Sequence, residues 1–344
     1  FRIDLTAKAK GKTLTSSVDH RVVDIVYRHR PIIHLLKTEK SPPVKADSML
    51  ANADIFKWEF SILANDWIAK RKKAGPLTFQ DLNAFNANTY DMSFRRVAHR
   101  AAPPKGNVAL YHKTFIVGNH AFIQYWMFEG TSYSPFIFGK GQLWWHEGDW
   151  EMLQFAVKLD SSAAKPADKL IPHAVTASQH YYGQTLKWEL KKDQQAPPAD
   201  YARNQDFVSR VGHRPEVYVA LNAHAIYFQA GVFPVTKKAN DNSGIQYKAP
   251  GKVSHTDRTG LGRKIDISGA QLTYIQKEAM VNLWLGRWGA TVKPATIVKP
   301  YGDGPPSPAY RGPAEQGVGV VIQANPKGFH NSFLKVTQPE IAIP

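Results

Sequence analysis

The sequence predicts a mainly β fold: a β-sandwich with one or two peripheral helices, in a single β-rich domain spanning 1–344, with its core at about residues 20–325. Three observations carry this expectation. Pro and Gly punctuate the whole chain, with 23 Pro and 24 Gly. The runs between them are rich in aromatic and β-branched residues, which suit a pleated, half-buried surface. Helical spacing appears in only two stretches. No internal repeat is present, and the gaps between runs are short enough for loops within one domain.

In chain order, strands are expected at 21–26, 108–117, 121–128, 149–159, 174–178, 215–220 and 318–323. Each is an aromatic or β-branched run bounded by turn residues. A short helix is expected over 78–85, where Thr78 starts an apolar pattern. A second is expected over 269–288, where Leu272, Ile275, Ala279, Leu283 and Leu285 fall near helical spacing. The small and polar stretches 161–168 and 191–200 read as loops, 240–244 as a turn, and the Pro-rich 299–313 as extended chain. His255-Thr256-Asp257-Arg258-Thr259-Gly260 reads as an Asx-type turn. Trp126 and Phe128 are most simply core residues, whereas Tyr133, Trp144 and Trp145 are core or a sugar- or lipid-facing aromatic surface.

His146-Glu147-Gly148-Asp149-Trp150-Glu151 is the segment that carries chemistry. It packs three carboxylates and an imidazole between apolar flanks, Leu143-Trp144-Trp145 before and Met152 to Val157 after. Such flanks indicate a strand, and on a strand alternate side chains share a face. Glu147, Asp149 and Glu151 are therefore expected to point the same way, with His146 of opposite parity. Three like charges on one face call for a cation, a proton or a basic neighbour. Two chemistries suit the cluster: a hard divalent cation bound by carboxylate oxygens, or a carboxyl of raised pKa acting as a general acid. A further candidate is His224, in the small-residue turn Ala223-His224-Ala225 after the β-run that begins at Pro215.

Composition bounds the partners. The net charge is +16, from 44 Lys and Arg against 28 Asp and Glu, which favours an anionic partner. The basic clusters, Lys70-Arg71-Lys72-Lys73 the longest, lack the Gly and aromatic interleaving of an RNA-binding sheet, so nucleic acid is not the expected partner. Cysteine is absent. That excludes disulfides, thiolate metal sites and a Cys nucleophile, and it leans toward a bacterial or intracellular origin. The chain begins with Phe rather than Met, and a mature secreted product is favoured over a cytoplasmic one. No run approaches the ~18–20 apolar residues of a membrane-spanning helix. No Gly-x-Ser-x-Gly elbow, phosphate-binding loop, dinucleotide fingerprint or His-Glu-x-x-His pair occurs.

Tyr125-Trp126-Met127-Phe128, the His146 to Glu151 block, and Val217-Tyr218-Val219-Ala220 leading into Ala223-His224-Ala225-x-Tyr227 resemble the vacuolar protein sorting 62 family. Tyr27 to His34, then Glu39, Pro42 and Pro43, resemble its opening; Leu285-Gly286-Arg287-Trp288-Gly289, then Gly304-Pro305, resemble its end. Leu36-Lys37 and Leu221-Asn222-Ala223 depart from the family pattern, the latter standing where a Gly-Ser pair is expected before His224. That family's name gives no chemistry. The aromatic strand followed by His-x-x-Asp-Trp-Glu is also similar, more distantly, to the necrosis- and ethylene-inducing peptide-like cytolysins, with Asp149, Trp150 and Glu151 aligned directly. This likeness implies a secreted β-sandwich whose Asp-Trp-Glu segment holds a divalent cation used to recognise a membrane sphingolipid headgroup.

The functional expectation is a divalent-cation-dependent, toxin-like binding protein for anionic or glycosylated surfaces. Asp149 and Glu151 are the main ligands of calcium or magnesium, with Glu147 and His146 beside them. His224, Trp144, Trp145 and Tyr227 complete a surface for an anionic lipid headgroup or an acidic glycan. The alternative is a polysaccharide-active hydrolase or lyase using Glu147, Asp149, Glu151 and His224. A third reading ties the acids to Arg residues such as Arg287 and makes the block structural.

Overall fold

A computed structural model describes residues 2–9, 12–39, 41–50, 53–63, 66–85, 91–93, 108–117, 120–137, 142–158, 172–179, 182–188, 208–236 and 253–274. β1 (Arg2–Ala9) and β2 (Lys12–Asp19) form an antiparallel pair. Helix α1 (His20–Arg28), strand β3 (Ile32–Leu35) and the short helix α2 (Ala46–Leu50) follow. β4 (Asp54–Ser61) and β5 (Asp66–Lys73) make a ribbon; α3 (Phe79–Ala84) and β6 (Asp91–Ser93) come next. Then come β7 (Leu110–Val117) and the long β8 (His120–Ile137) and β9 (Gln142–Lys158), followed by β10 (Pro172–Gln179) and β11 (Tyr182–Lys187). The rest are β12 (Arg210–Val211), β13 (Arg214–Val219), β14 (Ile226–Tyr227), β15 (Gly231–Thr236), β16 (Val253–Thr259) and β17 (Arg263–Asp266). A 3₁₀ turn (Gly269–Gln271) leads into β18 (Leu272–Tyr274). The fold is mainly β, as the sequence predicts.

Six strands form the central sheet in the order β11-β10-β9-β8-β7-β18. A second sheet runs β12-β13-β3-β17, with β14 paired to β13, and a third runs β5-β4-β6. The period-2 alternation of β8 and β9 explains the layering. Ile123, Tyr125 and Met127 join Leu153, Phe155 and Val157 in one core, against Ile33 and Leu35 of β3 and Val217 and Val219 of β13. Trp126 and Phe128 join Trp150 and Met152 in a second core on the other face, against Ile55 of β4 and Met92 of β6. Residues 121–130 and 147–157 of the β8–β9 hairpin are thus buried on both faces, which accounts for their largely apolar sequence.

Three local expectations need correction. Residues 21–26 lie in helix α1, not a strand. Ile25, Val26 and His29 are buried while Asp24 and Tyr27 are exposed, a 3.6-residue period that overrides the β-branched composition. Leu272–Tyr274, expected in a helix, is a strand pairing parallel to β7. The expected turn at His255 lies instead in β16, paired to β15 through Asp257↔Phe233 and Arg258↔Val232. The helix at Thr78 forms as expected: Thr78 accepts from the Asp81 N–H and the Asp81 side chain reaches back, a capping box. Residues 161–168, 191–200, 240–244, 275–288, 299–313 and 318–323 lie outside the described residues.

Gly262, just before β17, sits against the segment that leaves β3. A Cβ there would lie 2.2 Å from the Lys37 nitrogen and 2.7 Å from the Leu35 carbonyl oxygen. Backbone cannot yield as a side-chain tip can. Gly262→Ala is expected to lower stability by about 1–3 kcal/mol in urea unfolding, as overpacking does.

Candidate functional site

The β8–β9 register builds the site. It places Glu129 directly opposite Asp149, Met127 opposite Glu151 and Thr131 opposite Glu147. Opposed residues share a face of the sheet, so Glu129, Asp149 and Glu151 look out on the side covered by β3 and β13. Glu147 departs from the shared face expected for the three acids. Gly148 adopts φ 65°, which breaks the extended alternation, and Ser93 Oγ on β6 of the third sheet donates to Glu147 Oε1 at 3.2 Å. The cluster therefore contains Asp149 and Glu151 of the predicted trio, with Glu129 in place of Glu147.

The facing sheet supplies the counter-charge. β3 and β13 run parallel, so the segments leaving both emerge at one edge. Glu39 follows β3; the turn carrying His224 follows β13. The turn is closed by His224 N–H to the Ala220 carbonyl at 3.0 Å and Ala220 N–H to the Ala225 carbonyl at 2.9 Å. Asn222 and His224 adopt φ 63° and 60°. Asn tolerates the left-handed region well, which suits it to position 222; His224 there is the more strained residue. Glu39 ties the turn down: its Oε2 accepts the Asn222 N–H at 2.6 Å and its Oε1 accepts the Ser41 N–H at 2.7 Å.

The His224 ring lies between two carboxylates. Nδ1 is 3.3 Å from Asp149 Oδ2, and Nε2 is 3.8 Å from Glu39 Oε1, an ion-pair contact too long for a hydrogen bond. Burial alone would depress the imidazole pKa, but Asp149 and Glu39 outweigh it and hold His224 well above its usual range. Burial would likewise raise Glu39; His224 and the two backbone N–H donors reverse that and hold it at about 2. Glu39–His224–Asp149 is thus a charged bridge between the sheets.

Glu129 and Glu151 are the opposite case. Burial raises the Glu129 carboxyl well above the carboxylate range, and Asp149 and Glu39 add to the shift. Both of its oxygens are buried and have no hydrogen-bond partner. Glu151 is also raised by burial and by Asp149; Ser178 Oγ donates to its Oε2 in a short contact and accepts the Met152 N–H at 2.7 Å. The exposures are 0 % for Glu129 and His224, 5 % for Glu151 and 8 % for Asp149, so what little solvent reaches the cluster falls on the last two.

The remaining predicted residues separate from this cluster. Tyr227, expected on a binding surface, is 3 % exposed; its hydroxyl donates to Asp257 at 2.7 Å and its ring stacks on Phe233 at 4.0 Å, so it is a core residue. Trp144, Trp145 and His146 occupy β9 opposite Ser134, Tyr133 and Ser132, with side chains outside the described residues. Arg287 also lies outside them. Glu129 and Ser178 carry no motif of their own, so nothing local in the sequence singles them out.

The donors suit a hard cation chemically: three carboxyl groups from one sheet face, one of them with two unpaired oxygens. As the side chains stand, no three His, Asp or Glu groups among the described residues converge closely enough to enclose an ion; His224 holds Asp149 instead.

No family model matches the chain, and no curated protein matches it. Several solved structures do. One is described as "Toxin fold as basis for microbial attack and plant defense", with 12% identity over 76% of this chain and 79% of that one at a TM-score of 0.33. Another is Necrosis and Ethylene inducing Protein 2 from the causal agent of cocoa's Witches Broom disease, with 13% identity over 75% and 78% at 0.32. A third is NLPPya in complex with mannosamine, with 13% identity over 76% and 79% at 0.30. At such identities and TM-scores they establish neither a family nor a function for this chain. The likeness to the vacuolar protein sorting 62 family gains no support from these comparisons.

Proposed function

We propose that this chain is a divalent-cation-dependent binding protein for anionic or glycosylated surfaces. Glu129, Asp149 and Glu151 hold the calcium or magnesium ion, and His224 and Glu39 position Asp149. The observation that carries this reading is Glu129: a fully buried carboxyl with both oxygens unpartnered, opposite Asp149, is unfavourable without a proton or a cation. The ion supplies positive charge beside Glu129 and Glu151, which His224 does not pair, and it binds as protons leave them. The bound surface offers oxygens to the ion from the Asp149 side, the more exposed edge of the cluster. A site of this kind suits a protein acting outside the cell, where oxygen-only calcium sites work at about 10⁻⁴–10⁻³ M.

The cluster's closure supports binding over polysaccharide hydrolysis or elimination. A glycosidase needs two carboxyl groups flanking an open cleft, and here no acid of the cluster is more than 8 % exposed. The test is retention on an immobilised acidic glycan such as polygalacturonate, in calcium and in EDTA. Retention is expected in calcium, to be lost in EDTA, and to weaken at least ~10-fold in Asp149→Asn, since ligand charge sets such affinities. Equal retention with and without EDTA, or an unaffected Asp149→Asn variant, contradicts the proposal.

A further inference from the structure

The β4–β5 ribbon ends in a feature that neither the cores nor the acidic cluster uses. Ser61 pairs with Asp66 at the end of the ladder. In the link that follows Ser61, Ile62 is 87 % exposed and Leu63 is 101 % exposed. The other end of the ribbon is anchored: Ile55 and Phe56 are buried. Burial thus falls away along the ribbon, and two adjacent aliphatic side chains stand in water at its tip. Single exposed apolar residues need no explanation; a fully exposed pair at the end of a projecting ribbon calls for a partner.

One face of the ribbon is cationic. Register places Lys57 opposite Lys70 and Glu59 opposite Ile68. Three ammonium groups share one carboxylate: Lys70, Lys72 and Lys57 lie 2.6, 3.7 and 3.9 Å from Glu59 oxygens. Three positive charges against one negative leave this face cationic. Arg71 and Lys73 lie beside Asp54 and Asp81 at 3.6 and 3.2 Å and add little. Lysines on β5 also protect a sheet edge from pairing, which accounts for the charge alone. Edge protection gives no reason for Ile62 and Leu63.

We propose that the β4–β5 ribbon is a docking finger for an anionic lipid bilayer, with Ile62 and Leu63 entering the headgroup–acyl boundary and Lys57, Lys70 and Lys72 meeting the acidic headgroups. An acidic glycan or a nucleic acid satisfies the lysines but gives the aliphatic tip nowhere to go; a bilayer takes both. The finger is a second contact, separate from the cation site, and rests on the function proposed above only for the partner's negative charge. It needs no divalent cation.

The chain has no cysteine, so Leu63→Cys can be labelled with an environment-sensitive fluorophore at a single position. The labelled protein is mixed, in EDTA, with phosphatidylcholine vesicles with or without about one-third phosphatidylserine, while unlabelled protein is followed by sedimentation. The expected result is a blue shift and brightening with the anionic vesicles only. Sedimentation is expected to weaken at least ~10-fold in Ile62→Ser/Leu63→Ser, from the loss of buried apolar area, and comparably in Lys70→Glu/Lys72→Glu. These positions are exposed, and unchanged circular dichroism checks that both variants fold. The proposal is overturned if the anionic vesicles bring down no protein, if the label stays silent while protein sediments, or if the serine variant sediments like the parent. EDTA keeps the outcome separate from the cation site: glycan retention can fail while the finger binds, and the reverse.

Discussion

Replacing His224 with alanine is expected to lower the unfolding free energy by about 3–5 kcal/mol at neutral pH, the usual consequence of removing one partner from a buried ion pair. Glu39 and Asp149 would then face each other's charge with no imidazolium between them, and Glu39 is nearly inaccessible to water. Urea denaturation followed by tryptophan fluorescence measures the loss. Its pH dependence follows from the shifts. The folded pKa of His224 is raised, so its stabilisation is complete below the unfolded value near 6.5 and is lost as pH climbs through the folded value. The folded pKa of Glu39 is lowered to about 2 from 4.5, so its stabilisation is present above 4.5 and is lost as pH falls toward 2. The penalty in His224→Ala should therefore be largest between about pH 4.5 and 6.5 and shrink as conditions become strongly acidic or alkaline. A loss under about 1 kcal/mol would mean that the bridge contributes no more than a surface pair.

Glu129→Gln is expected to act in the opposite direction. The folded pKa of Glu129 is raised by burial, so above the ordinary carboxylate range the folded state holds a proton that the unfolded state releases. Stability then falls with rising pH, by up to about 1.4 kcal/mol per pH unit for one group, until the folded value is passed. Gln keeps the shape and cannot ionise. The variant, in EDTA, should match or exceed the parent in stability at pH 8 and should show a flatter dependence between pH 5 and 8, with Glu151 and, above about pH 6.5, His224 supplying what slope remains. Thermal melts across that range read the difference. Identical pH profiles for parent and variant would show that Glu129 stays ionised in the folded protein.

Much of the β framework could be read directly from the sequence, because β8 and β9 are long and apolar and Pro and Gly mark their surroundings. Asp149 and Glu151 stood out for the same reason: two acids with period-2 spacing inside a hydrophobic run. Glu129 did not. It is one acid just after an apolar run, in the middle of β8, and only the hairpin register shows that it meets Asp149. Glu39 is separated from His224 by 185 positions in sequence, and a parallel pairing of β3 with β13 brings them together; such pairing leaves no local signal. Alternation puts Glu147 on the face of Asp149 and Glu151 only along an extended backbone, and Gly148 at φ 65° interrupts it. Helix α1 reads as a strand by its β-branched composition, and only the 25, 26, 29 spacing of its buried face speaks for a helix.

Calorimetric titration of the metal-free protein with calcium, and then magnesium, beside Glu129→Gln under the same conditions, tests the central claim most directly. Saturable binding of one ion to the parent is expected, weakened by about 10-fold or more in the variant, as loss of one ligand charge should do. No heat of binding from the folded parent, or equal affinity in both proteins, would show that Glu129, Asp149 and Glu151 form a buried protonated core and not a cation site.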